Sequence, residues 1–195
     1  MKTKSILSYF GGDGQVADRL ADYLNHCRHV TIPFCGGLSI LPYLRARTLV
    51  VNDKHAQVIN FYRVLSGRHG LEAKARLTTL CSATLSHPDE LGLANRTLLD
   101  NFSHGSVEHA WAFWATCWLA RKGKGGTKHP AGALSVRRTA TGGNNASRLQ
   151  AAIVDLAAWE QQLRRCEFEC RCFREQLQDV ADDPACGLYC DPPWD

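Results

Sequence analysis

The sequence predicts an α/β protein built on a doubly wound, mostly parallel sheet with a helical insertion. Three observations carry that expectation. Short apolar or β-branched runs at 29–32, 48–51, 167–172 and 187–190 alternate with stretches of helical periodicity. Connections long enough to hold a helix join parallel neighbours, and the unbroken run Thr48-Leu49-Val50-Val51 suits a strand buried on both faces. Each conspicuous motif also directly follows a strand, and ligands bind such sheets beyond the carboxyl ends of their strands.

Val16, Leu20, Tyr23 and Leu24 recur at helical spacing, which predicts an amphipathic helix over about 14–25. The first strand, 29–32, runs straight into Pro33-Phe34-Cys35-Gly36-Gly37, and 38–44 predicts a short helix interrupted near Pro42. The second strand ends in Asn52-Asp53. A helix follows over roughly 55–66 with Val58, Ile59, Tyr62 and Leu65 on one face. From about 68 to 120 the periodicity is helical only, which reads as an inserted region. There Ser106 suits an N-cap, and Val107, Ala110, Trp111, Trp114 and Trp118 line one face, expected to be core rather than a platform for stacking bases. Further on, Ser147 is expected to cap a helix whose Leu149, Ala152, Ile153, Leu156, Trp159 and Leu163 face one way. Residues 167–172 alternate as a strand, 173–180 read as helix, and 187–190 form a last strand that delivers Asp191-Pro192-Pro193-Trp194. The expected division is a core of 1–66 with 149–195, and an insertion of 67–148.

At 195 residues, 45% hydrophobic and 22% charged, the chain is long enough for a sizeable core and has the composition of a globular domain, not of a disordered or fibrous protein. No run of about 18 apolar residues occurs, so neither a membrane span nor a membrane partner is expected, and the chain reads as cytoplasmic. Nine cysteines, an odd and scattered set without a secretion signal, read as reduced thiols. Their spacing at 166, 170, 172, 186 and 190 only loosely approaches paired zinc ligands, and no metal is expected. Cys170, Cys172 and Cys190 fall on expected strands, where Cys serves as a small buried hydrophobe.

Charge is informative by position. Net charge is only +4, yet 121–148 holds Arg121, Lys122, Lys124, Lys128, Arg137, Arg138 and Arg148 with no acid, so the rest of the chain is net negative. The same stretch holds six of the 16 glycines, which predicts a loop or loose hairpin. A basic loop of this kind suits phosphate contacts, since Lys and Arg release counterions from a polyanion; a solvated linker is the plainer alternative.

The strand-end motifs define a chemistry. A glycine pair after the first strand lets a ligand approach the backbone, and an acid after the second, at Asp53, can accept hydrogen bonds from ribose hydroxyls. Together they point to a nucleoside cofactor; the glycine patterns of dinucleotide and nucleoside-triphosphate sites are absent. In Asp191-Pro192-Pro193-Trp194 two prolines stiffen the backbone, the carboxylate and a proline carbonyl can accept hydrogen bonds from an exocyclic amine, and the indole can stack on a base.

Ser8-Tyr9-Phe10-Gly11-Gly12, Pro33-Phe34-Cys35-Gly36-Gly37-Leu38-Ser39, Asn52-Asp53 with Asn60-Phe61-Tyr62-Arg63, and Tyr189-Cys190-Asp191-Pro192-Pro193-Trp194 together resemble, in type and order, the D12 class of adenine-specific DNA methylases. The resemblance implies a Rossmann-like methyltransferase fold and transfer of a methyl group from S-adenosylmethionine to adenine N6 in DNA. By that likeness Tyr9, Gly11, Gly12, Pro33, Phe34, Gly36, Gly37, Asp53 and Phe173 bind the cofactor, while Asp191, Pro192, Pro193 and Trp194 are catalytic. The family's target-recognition region corresponds to the insertion and basic loop, so Lys122, Lys124, Lys128, Arg137, Arg138 and Arg148 would contact DNA. The implied partner is double-stranded DNA with a flipped adenine, as in restriction-modification; any restriction endonuclease partner is unspecified.

Three positions depart from the family pattern: Asp13 where it has Lys, Ile32 where it has an acid before Pro-Phe, and Cys172 where an Asp is common. These motivate an alternative, a nucleic-acid-binding module that kept the fold and lost the cofactor. A further alternative is methyl transfer to cytosine N4 or to an RNA adenine. Because the family continues with further strands, the chain is expected to be an N-terminal fragment with an incomplete sheet.

Overall fold

The computed structural model describes residues 5–9, 12, 14–120, 133–134, 136 and 144–192. At its centre is a sheet of four strands in which every pairing is parallel. β1 (His29–Ile32) lies between β2 (Thr48–Asn52) and β4 (Cys186–Leu188), and β3 (Cys166–Glu169) pairs with the far side of β2. The register sets Val30 opposite both Leu49 and Gly187, and Ile32 opposite Val51. The chain steps outward from β1 through β2 to β3, then reverses past both to reach β4. Crossovers in parallel sheets are almost always right-handed, so the reversal carries the β3–β4 connection over the other face. The switch of direction falls between β1 and β4, the place where open α/β sheets bind ligands.

Among the described residues there are seven α-helices: α1 (Ala17–Asp22), α2 (Ala56–Leu65), α3 (Leu71–Ala83), α4 (Pro88–Leu99), α5 (Val107–Leu119), α6 (Asn145–Leu163) and α7 (Phe173–Gln178). In α5 every residue but Glu108 is buried, as expected for a helix that is apolar all round, and it packs against α2, α3, α4 and α6. The tryptophan stripe is therefore core. Trp114 is fully buried, the Trp111 indole donates to Thr84 Oγ1 at 2.8 Å, and the Trp118 indole donates to the Ile6 carbonyl at 3.2 Å. Ser106 caps α5, its hydroxyl accepting from the His109 amide at 3.2 Å. The strands β1, β2 and β3 share one apolar cluster with α2, α5 and α6. On the outer edge of β3, Arg63 and Arg68 from α2 and the turn after it donate to the carbonyls of Phe168 and Cys166 at 2.6 and 2.9 Å, which blunts that edge.

Several boundaries differ from expectation. The first helix is α1 alone, and its small residues Ala17 and Ala21 form the face buried in the apolar cluster while Val16 and Tyr23 are exposed. The expected helix over 38–44 is a single 3-10 turn, Leu41–Tyr43, with Pro42 in its first turn. Asn144, not Ser147, caps α6: its side-chain carbonyl accepts from the Ser147 amide at 2.7 Å, so Ser147 already lies within the helix. β3 and β4 begin and end earlier than expected, which leaves Cys170, Cys172 and Cys190 beyond the strand ends and puts Cys166 and Cys186 in the ladders. The nine cysteines are free thiols. Among the described residues no helix is long and apolar enough to cross a membrane.

If α5 is the axis of the helical layer, Trp114→Ala should lower unfolding free energy by about 3–5 kcal/mol, measured by urea denaturation. A change below about 1 kcal/mol would contradict that placement.

Candidate active site

A cavity of about 340 Å³ opens beyond the carboxyl ends of β1, β2 and β4. Its walls bring together Tyr9, Gly12, Pro33, Phe34, Gly36, Gly37, Asp53, Phe173, Asp191 and Pro192, which the sequence names as site residues and which come from five separate stretches of chain. Gly11, Pro193 and Trp194 lie outside the described residues, as do Lys122, Lys124, Lys128, Arg137 and Arg138. Arg148 is described and lines a second, adjoining cavity of about 360 Å³.

The turn after β1 is shaped from two sides. Gly36 has φ +42°, a region in which an L side chain is strained, and its amide donates to Asp53 Oδ2 at 3.1 Å while its carbonyl accepts from the Tyr62 hydroxyl. At Gly37 an added Cβ would stand 3.2 Å from the Leu7 carbonyl, and the Gly37 carbonyl accepts from the Ile6 amide at 3.3 Å. The glycine pair thus lies between the end of β2 and the N-terminal segment. Leu38, buried, follows at φ +52°, a conformation costing a non-glycine residue about 1 kcal/mol or more.

Asn52 joins three strand ends. Its side-chain amide donates to the Pro33 carbonyl at 3.0 Å and the Arg171 carbonyl at 3.1 Å, and its side-chain oxygen accepts from the Arg171 amide at 3.0 Å. Its own carbonyl accepts from the Cys35 amide at 3.0 Å. Through Arg171 this sets the approach to α7, whose first residue, Phe173, stands with ring centroid 5.0 Å from that of Phe34. On the other side of β1 the Tyr189 amide donates to the Thr31 carbonyl at 2.9 Å, carrying the β1–β4 contact one residue further toward Asp191.

The Asp53 carboxylate is oriented by protein donors: Oδ1 accepts from the His55 amide at 2.9 Å, and Oδ2 from Gly36 and from the Cys35 thiol at 3.7 Å. Its charge marks the surroundings. Burial first, and Asp53 second, push the Tyr9 hydroxyl and the Cys35 thiol well above their ordinary range. Burial likewise raises Tyr62. For His55 burial lowers the pKa and outweighs the opposing pull of Asp53. These groups are neutral at pH 7, leaving Asp53, Asp191 and exposed Lys54 as the charged side chains among the described residues lining the cavity.

The arrangement suits a nucleoside. The volume lies at the low end of about 300–1,000 Å³ for small-molecule sites. The walls are mostly apolar, two phenyl rings offer faces to a base, and a fixed carboxylate can take ribose hydroxyls. Asn52, Cys35, Tyr62 and Lys54 have no assigned role in the sequence reading. Asn52 had the clearest signal, a polar residue ending an apolar strand; Tyr62 read as part of a helical face and of the Asn60-Phe61-Tyr62-Arg63 stretch, with no role of its own. No protein-family model matches the chain, and no curated protein matches it.

Asn52→Ala would orphan two carbonyls and one amide, and should cost about 2–4 kcal/mol in a urea titration, with Asn52→Asp no better because it cannot donate. The pH profile of stability should be a dome. Below the ordinary histidine value of 6.5 the unfolded chain takes up a proton that folded His55 resists, so stability falls with acidification. Above the ordinary thiol value of 9.0 the unfolded chain loses protons that buried Cys35, Cys81 and Cys117 retain, so stability falls again. Urea midpoints across pH 5–11, scanned in steps of about one unit, check both limbs.

Proposed function

We propose that this chain binds S-adenosylmethionine in the sheet-edge cavity and directs its methyl group to N6 of an adenine turned out of double-stranded DNA, as a cytoplasmic enzyme. The observation that carries the reading is that the glycine turn after β1, Asp53 after β2, Phe173 after β3 and Asp191-Pro192 after β4 line one cavity. Phe34 and Phe173 would hold the cofactor's base, Asp53 its ribose, and the Gly36-Gly37 turn with Tyr9 and Gly12 the part beyond. When bound, the cofactor would supply an electrophilic methyl carbon to the amine, the carbon–sulfur electron pair staying on sulfur and one N6 proton passing to water. An adenine N6 lone pair is conjugated with its ring and a poor nucleophile. Asp191 and the Pro192 carbonyl, accepting its hydrogens, favour the pyramidal amine and orient it, and Trp194 would stack on the base. The basic segment between α5 and α6, with Lys122, Lys124, Lys128, Arg137 and Arg138, would hold the DNA backbone. This chemistry requires no metal.

A second reading, a nucleic-acid-binding module without cofactor, draws on Ile32: buried at the end of β1, it presents an apolar wall where the resembling family has an acid. Calorimetry with S-adenosylmethionine decides between them, since measurable binding eliminates the second reading.

Incubation with labelled S-adenosylmethionine and mixed-sequence duplex DNA, followed by nucleoside analysis, should yield N6-methyladenine; label in N4-methylcytosine would redirect the proposal to another amine. Asp191→Ala should reduce transfer about 100-fold or more while leaving DNA affinity nearly unchanged. Retained turnover in that variant would remove the mechanism.

A further inference from the structure

The second cavity shares Tyr9, Gly12 and Ser39 with the first, so the two meet along a common wall. Its other walls include the serines at 5 and 8, Trp118 and Arg148. Arg148 is the one charged side chain among the described residues that line it. Among the described residues two contacts hold the guanidinium: Nη2 donates to Ser8 Oγ at 3.1 Å, and the group sits 5.9 Å from the centroid of the Trp118 ring. Neither contact neutralises its charge. A guanidinium has five N–H donors, and among the described residues the bond to Ser8 uses one of them.

S-adenosylmethionine is more than a nucleoside. Beyond the ribose it carries an α-amino acid, and a carboxylate withdrawn from water requires a charged or hydrogen-bonding partner. Among the described residues the first cavity offers two carboxylates, Asp53 and Asp191, against a single cation, Lys54, which is exposed and follows Asp53 in the chain. We infer that Arg148 binds the carboxylate of the cofactor's amino-acid tail, the tail passing from the first cavity into the second between Tyr9, Gly12 and Ser39. This rests on the cofactor reading above. The planar guanidinium matches a carboxylate through two parallel bonds, and its contacts with Trp118 and Ser8 hold it in place before the ligand arrives. The charge pattern of 121–148 suggested a phosphate contact instead. Arg148, however, stands in the first turn of α6 against the buried Trp118, in a cavity that shares Tyr9, Gly12 and Ser39 with the proposed cofactor cavity.

Calorimetry on the full chain with S-adenosylmethionine and with its decarboxylated analogue, which lacks only the carboxylate, tests the assignment. Arg148→Gln keeps a donor for Ser8 and removes the charge. It should weaken S-adenosylmethionine by about 10- to 100-fold and leave the decarboxylated analogue within about twofold, an unchanged affinity that also reports an intact fold. Equal weakening of both ligands, or of neither, overturns the inference. So does an effect confined to duplex DNA affinity with a shallower salt dependence, which marks a phosphate contact. If neither ligand binds the unaltered chain, the cofactor reading itself falls and takes this one with it.

Discussion

The cleft depends on one buried amide. Asn52 ends β2 with no exposed surface, and its side chain saturates backbone groups on the turn after β1 and on the turn after β3. Parallel strands run to their carboxyl ends without any local hairpin to fix how the following loops leave, so those loops must be tied to each other through side chains. An amide is suited to the task because it both donates and accepts, and a buried carbonyl left unpaired is costly. The same residue precedes Asp53, whose carboxylate holds Gly36. Two adjacent positions thereby set the shape of the turn, the approach to Phe173 and the place of one carboxylate in the cavity wall.

The helical layer takes part in the same construction. Trp118 of α5 donates to the Ile6 carbonyl, the Ile6 amide donates to Gly37, and the neighbouring Gly36 is held by both Asp53 and Tyr62 of α2. The turn that borders the cavity is therefore braced by the N-terminal segment on one side and by the sheet and α2 on the other. Asn60 of α2 ties the layer to the start of α5, donating to the Ser106 carbonyl at 2.9 Å and accepting from the Gly105 amide at 2.7 Å. A helix that is apolar on every side can sit there only because four other helices cover it.

Burial makes the cavity electrically simple. Tyr9, Cys35 and Tyr62 are held neutral by desolvation and by the nearby carboxylate, so Asp53 and Asp191 stand among neutral walls, with Lys54 exposed to water. In such surroundings each charge acts more strongly than it would in water.

Strand positions, the parallel sheet, the buried tryptophan face and the Ser106 cap were legible in the sequence, because each follows from local periodicity or from one residue's own chemistry. So was the meeting of Gly36-Gly37, Asp53, Phe173 and Asp191-Pro192, since each follows a strand and parallel strands put those ends at one edge, whereas Tyr9 and Gly12 follow no strand. Tertiary structure decided the rest. Whether Val16 or Ala17 is buried, whether Asn144 or Ser147 caps α6, and where β3 stops depend on how closely neighbouring elements approach. The strand order β3-β2-β1-β4, the bonds of Asn52 across 119 residues of chain to Arg171, and the meeting of Arg148 with Trp118 and Ser8 are contacts between distant segments, which no local pattern encodes.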